Sequence, residues 1–296
     1  MRRIFHFVSL LLPVALLLAC SDEETTPDQQ DSAMPTTVVP SWLELPATSV
    51  DDGLEFFSRK CSLVGENVRN YSFYWDYSAR VSHWVAYPLC SAYLGSSQRT
   101  EAWGYDPLMP AEKQQNVSGG YREGDNGWYA RGLQLPAEDR TADLNLNATT
   151  FYGTNCVPVD NDFYSWVWHT LETKVRAWAT NSDTLYVVSG CVVEGAKHYI
   201  VDRSGHKITV PSALYKAVLR YKKDAEEGCR SYMGVAFWYD TEHRYNQFSQ
   251  NDAMSISKLE SKLGYSLFVN LPKVVGEAVA ATIKDENPAS VGWWWQ

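Results

Sequence analysis

The sequence predicts an α+β domain, and three observations carry the prediction. Strand-like runs rich in aromatic and β-branched residues recur along the chain, helical periodicity is confined to a few segments, and the two kinds do not alternate in the regular βαβ order of a parallel sheet. The composition agrees: of 296 residues about 45% are hydrophobic, with 12 Trp, 18 Tyr and 10 Phe. That much burial-capable surface offsets chain entropy and excludes a disordered or collagen-like chain. The formal charge of -9 argues against a strongly basic nucleic-acid binder, whose affinity comes from neutralising phosphates, and confines any such site to a local basic patch.

Taking the elements in order, Arg2 and Arg3 precede the apolar run Phe7 to Ala19. That run is shorter than the roughly 20 residues a spanning helix needs, so it reads as a secretory signal. It ends Leu17-Leu18-Ala19-Cys20, which resembles a bacterial lipobox and makes Cys20 the expected lipidation site, with residues 1–20 as the signal peptide. Ser21-Asp22-Glu23-Glu24 resembles the acidic tag that sends lipoproteins to the outer face of an outer membrane, with periplasmic retention as the alternative. Removing residues 1–20 deletes two Arg and no acid, taking the charge from -9 to -11. Residues 21–46, rich in Thr, Pro, Gln and Asp, read as a solvated tether. Residues 47–296 read as one domain without linker or repeat.

Strands are expected at Tyr71 to Tyr77, His83 to Tyr87, Leu185 to Val193, Ala217 to Tyr221 and Met233 to Tyr239, the first two joined as a hairpin through Ser78-Ala79-Arg80. The clearest helix runs from Phe163 to Ala179. Phe163, Val167, Leu171, Val175 and Trp178 recur there at three- and four-residue intervals, and Asp160, Asn161 and Asp162 offer an N-cap. Tyr164, Trp168 and Glu172 form a second stripe at i, i+4 and i+8. Further helices are expected at Ile256 to Leu263 and Val274 to Ile283.

With Cys20 lipidated, Cys61, Cys90, Cys156, Cys191 and Cys229 are left. In an oxidising compartment two disulfides and one free thiol is the simplest account, with Cys191–Cys229 the preferred pair. No Cys-x-x-Cys occurs, which argues against a thiolate zinc site.

There is no Walker A, His-Glu-x-x-His, Gly-x-Ser-x-Gly or dinucleotide-binding glycine pattern. Instead the chain carries Trp128-Tyr129-Ala130-Arg131-Gly132-Leu133-Gln134-Leu135-Pro136, then Thr150-Phe151-Tyr152-Gly153-Thr154-Asn155-Cys156-Val157-Pro158, then Trp168-His169-Thr170-Leu171-Glu172. With Trp84-Val85-Ala86-Tyr87, Arg99 before Asp106-Pro107, Val210-Pro211, and Lys262-Leu263-Gly264-Tyr265 before Asn270-Leu271-Pro272, this order resembles the DNA/RNA non-specific endonuclease family. The resemblance implies a ββα-metal nuclease fold around a mixed, mainly antiparallel sheet flanked by helices. It also implies a chemistry in which an imidazole takes a proton from water while Mg²⁺ and Arg side chains neutralise phosphate charge.

Position by position the match is partial. Arg131 and Gly132 fall on the family's Arg-Gly, but Leu133 stands where its His is expected and Ala130 where its Asp is. Tyr164 stands at the metal-binding Asn, eight residues before Glu172. Arg99, Asn155 and Glu172 match supporting residues. Leu133 accepts no proton at any pH, and loss of a positioned base typically lowers the rate about 10² to 10⁴-fold. A phenol is a poor ligand for Mg²⁺, which prefers carboxylate, carbonyl and water oxygens. The expectation is a degenerate nuclease without bound metal that serves in binding, of nucleic acid through a local Arg patch or of a protein partner, anchored in the outer membrane through Cys20.

The rival readings are an active Mg²⁺-dependent, sugar-non-specific endonuclease with a rearranged site, and a purely structural envelope protein. A rearranged site has few sources of replacement groups. Asp160, Asn161 and Asp162 read better as a helix cap than a cation site, and Asp202-Arg203-Ser204-Gly205-His206 as a turn far from the motif. His169 is expected to point away from Trp168, and Trp293-Trp294-Trp295 to pack onto the domain.

Overall fold

The computed structural model describes residues 41–49, 53–121, 129–225 and 230–296. Cys20, the expected signal peptide and most of the expected tether, Trp128 and Cys229 lie outside the described residues. The strands are β1 Leu54–Leu63, β2 Glu66–Asp76, β3 Val81–Leu89, β4 Tyr129–Leu133, β5 Cys156–Asp160, β6 Thr184–Val192, β7 His198–Val201, β8 Lys207–Val210, β9 Ala213–Tyr221, β10 Tyr232–Asp240 and β11 Ala253–Met254. Seven of them form one antiparallel sheet in the order β1-β2-β3-β6-β9-β10-β11, and β4-β5 and β7-β8 pair separately. The helices are α1 Leu144–Ala148, α2 Asn161–Phe163, α3 His169–Thr180, α4 Ile256–Leu263, α5 Leu271–Val275 and α6 Glu277–Asp285. This is the α+β architecture that the pattern predicts.

The central strands are apolar on both faces because both are covered. Phe73, Trp75, Val85, Tyr87, Val187 and Val218 join a core beneath β4-β5 and α3, while Tyr74, Trp84, Val188, Ala217 and Leu219 join a second core beneath α4 and α6. Alternation along each strand sends neighbours to opposite cores. On β9 it also sends Lys216 and Arg220 to the α3 side, where both are fully buried. Gly190 on β6 is where Tyr215 crosses: a β-carbon there would lie 2.2 Å from the phenol ring.

The expected hairpin, the five expected strands and the helix at Ile256–Leu263 are present. The expected helix over Val274 to Ile283 is instead two helices. Gly276 between α5 and α6 has φ +83 and ψ 153, a conformation that interrupts a right-handed helix and that glycine adopts without a β-carbon clash. The pairing of cysteines is also corrected. Cys90, Cys156 and Cys191 are free thiols, Cys61 directs its sulfur to the Arg69 carbonyl at 4.0 Å, and Cys191, rather than bridging to Cys229, directs its sulfur to the Ser82 carbonyl inside the core. Both Cys156 and Cys191 are enclosed by apolar packing.

Ahead of the expected domain boundary at residue 47, Leu43 and Leu45 are buried in the second core, and buried Glu44 pairs with Arg69 at 3.0 Å. The terminal tryptophans pack as expected. Trp294 is fully buried, its ring 4.8 Å from that of Trp178, whose Nε1 donates to the Trp294 carbonyl at 3.0 Å. Among the described residues no helix is long and apolar enough to cross a membrane.

Candidate functional site

The motif segments converge because β4 pairs with β5 and β5 runs directly into a helix. The register sets Leu133 opposite Cys156 and Arg131 opposite Pro158. Asp160 ends β5 and caps the helix, its Oδ1 accepting from the amides of Asp162 at 2.9 Å and Phe163 at 3.0 Å. The helix proceeds from α2 through a π-helical segment, Tyr164–Trp168, into α3. Two strands and a helix thus bring Leu133, Asn155, Tyr164 and Glu172 into one unit.

Asn155 is the fastener of that unit. Its Nδ2 donates to the carbonyls of Leu135 at 2.9 Å and Thr150 at 2.8 Å, and its Oδ1 accepts from the Leu135 amide at 2.8 Å. It holds the segment after β4 in place, and these bonds occupy both ends of its amide. Leu133 is buried in the first core and presents no acceptor.

Tyr164 lies against Gly132, with ring carbon Cδ2 3.5 Å from where a β-carbon would stand. Burial pushes its phenol well above the ordinary tyrosine value and the nearby Glu172 charge adds to this, opposed by the Leu133 amide. The phenol therefore stays neutral. Glu172 is buried, and its Oε1 makes no hydrogen bond to the protein. Burial raises its pKa, the buried Lys216 ammonium opposes this, and Asp139 reinforces it. Lys216 lies 4.7 Å from the Trp168 ring centroid and donates to Ser189 Oγ at 3.1 Å. Asp139 pairs with Arg176 at 2.9 Å and accepts from the Tyr87 hydroxyl at 3.1 Å.

These groups do not suit Mg²⁺. The expected ligand position holds a neutral phenol, and burial favours the protonated form of the Glu172 carboxyl behind it. Among the described residues no group of three His, Cys, Asp or Glu side chains is placed to hold a metal.

The two arginines belong to one contact chain. Arg99 is clamped by Glu101 and by Glu138 at 3.1 Å, over the Phe151 ring at 4.7 Å. Partial burial works against the Glu101 carboxyl, but the bonds from Arg99 and Trp103 hold it below the usual carboxylate range. Trp103 Nε1 reaches Glu101 Oε2 at 2.6 Å, and Arg131 lies 3.6 Å over the Trp103 ring while donating to the Val117 carbonyl at 2.7 Å. Sequence reasoning missed Glu101, Trp103, Glu138 and Lys216. The first two lie within four residues of Arg99, and Lys216 is one of two cations, with Arg220, within the otherwise apolar Ala213–Tyr221 strand, a signal of buried charge.

The alternative groups stay apart. His206 Nδ1 meets Asp202 Oδ2 at 3.0 Å, but Asp202 also takes the amides of Asn116, Ser204 and His206 and so organises a turn. His169 is exposed. Buried Asp106, with Arg59 and with Thr154 at 2.6 Å, is a packing hub beneath the site.

The model of the DNA/RNA non-specific endonuclease family matches residues 53–274. A nuclease of Nostoc sp. is 26% identical over 216 residues, covering 72% of this chain and 76% of that protein. The mitochondrial nuclease EXOG of Danio rerio is 27% identical, covering 69% of this chain and 60% of its own length. The human EXOG is 29% identical over 53% of this chain and 45% of its own length, so the chain spans about half of that relative. Among solved structures, a chain of the EndoG/EndoGI complex superposes with a TM-score of 0.54 at 18% identity, covering 69% of this chain and 84% of that one. The fold is thus the ββα-metal nuclease fold.

Proposed function

The chain belongs to the DNA/RNA non-specific endonuclease family, and from that premise we propose that it is a catalytically degenerate member whose domain binds without efficient cleavage. The observation that carries this reading is the pair Leu133 and Tyr164, which puts a buried isobutyl group and a neutral phenol where the chemistry needs a proton acceptor and a cation anchor. Nucleic acid, met by Arg99 and Arg131, is the first ligand in this reading and a protein partner the second. Because Glu101 and Glu138 already balance Arg99, binding through this patch is expected to be weak and to fall with salt at the shallow slope of one or two phosphate contacts. The reading also places the protein at the outer face of an outer membrane through lipid on Cys20, on the support of Leu17-Leu18-Ala19-Cys20 and the acids that follow.

The test is incubation of purified protein with DNA and RNA, with Mg²⁺ or with EDTA. No metal-dependent cleavage is expected. Cleavage that is lost in Arg131→Ala would overturn the reading in favour of an active, rearranged endonuclease. The double variant Leu133→His with Tyr164→Asn restores both missing groups and is expected to show weak Mg²⁺-dependent activity. A folded but inert double variant would count against the view that only these two positions were lost.

A further inference from the structure

Two cations stand opposite each other across β1 and β2. The register pairs Arg59 with Tyr71 but Lys60 with Arg69, so Asn70 is an extra residue on β2, a bulge that sets Lys60 directly opposite Arg69. Like charges in that position are destabilising, because directly opposite β-carbons stand only about 5 Å apart. Arg69 gives its Nε to buried Glu44 at 3.0 Å and lies 5.4 Å over the Trp42 ring, but its terminal nitrogens make no hydrogen bond among the described residues. Lys60 is exposed and makes no ion pair among the described residues.

Both side chains line a cavity of about 420 Å³. They are its charged lining residues, and Glu44, buried behind Arg69, does not reach it, so the cavity presents cations and, among the described residues, no carboxylate. Trp42 and Tyr186 supply rings to its walls and pack on the second core, on the sheet face turned away from β4-β5 and α3. Asn67, on the same face of β2 as Arg69 by alternation, adds an exposed amide that makes no hydrogen bond among the described residues. A phosphate monoester carries a charge of about -1.5 to -2 at neutral pH and three acceptor oxygens, enough to meet both cations at once. A carboxylate brings one charge and two oxygens.

We propose that this cavity binds a phosphate monoester, whose oxygens bridge Lys60 and the terminal nitrogens of Arg69. The proposal does not depend on whether the family site, on the other side of the sheet, cleaves or binds.

The test is calorimetric titration of the purified protein with glycerol 3-phosphate, at an ionic strength held constant with NaCl, with acetate as the parallel carboxylate. Saturable binding of glycerol 3-phosphate is expected, well above that of acetate and weakened roughly tenfold by Lys60→Gln, which removes one charged donor. Arg69→Lys keeps a cation beside Glu44 but loses the fork, and is expected to weaken binding several-fold. Lys60 is exposed and repelled by Arg69, so without ligand a melting temperature at or above that of the parent verifies that Lys60→Gln is folded. Flotation with phosphatidylcholine vesicles, with and without phosphatidic acid, separates the sources: capture by the acidic vesicles that Lys60→Gln abolishes assigns the site to a lipid headgroup, and its absence beside glycerol 3-phosphate binding assigns a soluble ligand. Failure to bind the phosphate in either form would overturn the proposal. So would equal affinity for acetate, or binding that Lys60→Gln leaves unchanged.

Discussion

Arg131 lies 3.6 Å over the ring of Trp103 and donates its Nη1 to the Val117 carbonyl at 2.7 Å. Trp103 also holds Glu101, which holds Arg99, so the two arginines are linked through one indole. Trp103→Ala is expected to destabilise the fold by about 1–3 kcal/mol through lost stacking and lost aromatic packing on Phe151. Urea unfolding midpoints measure it, and an unchanged midpoint would show that the stack contributes nothing.

Gly132 is fixed by what packs on it. A β-carbon there would stand 2.6 Å from Val159 Cγ1 and 3.3 Å from the Val157 carbonyl oxygen. Gly132→Ala forces β4 away from β5 and disturbs the seat of Tyr164, and is expected to cost about 1–3 kcal/mol. Thermal melts check this. A melting temperature equal to that of the parent would mean that the hairpin relaxes freely.

Glu172 gives stability a pH dependence of known sign. Its folded pKa is raised by burial, with Lys216 opposing, so the folded chain keeps this proton at a pH where the unfolded chain has released it. That contribution is full below the ordinary Glu range and is lost as pH rises through the raised folded value. Buried Glu44, raised by desolvation against Arg69, acts in the same direction. In Glu172→Gln, which keeps the shape without the titration, the decline in unfolding free energy between pH about 5 and about 8 is expected to be shallower than in the parent. Parallel slopes in the two proteins would remove Glu172 from the account.

The cysteines are expected to separate by access. Cys61 and Cys90 are partly exposed and react with a maleimide in the native protein. Cys156, whose thiol burial pushes up to about 12, and Cys191, raised further by the same cause, react only after unfolding. Mass spectrometry of labelled peptides without reductant reads this directly. A disulfide-linked peptide containing any of the four would contradict it.

Much of the fold was legible because its signals are local. The aromatic run in β2, the capped periodicity ahead of α3 and the glycine that ends α4 are each visible within a dozen residues. The β4-β5 pairing was not, since its strands are separated by twenty-two residues and its register follows from tertiary packing. The site divides the same way. Motif spacing suggests Leu133, Asn155, Tyr164 and Glu172 as one group, but Glu138, 39 residues from the Arg99 it holds, could be found only in three dimensions. The cysteine expectation failed because composition and compartment say nothing about which sulfurs the sheet brings together.

The seven-stranded sheet begins at β1, whose register slips between Arg59 and Lys60. A kink with a solvated lysine beside it spoils the straight row of amides and carbonyls that a neighbouring molecule would need for pairing. Even crowded side by side, copies of this protein are thereby discouraged from zipping border to border into fibrils.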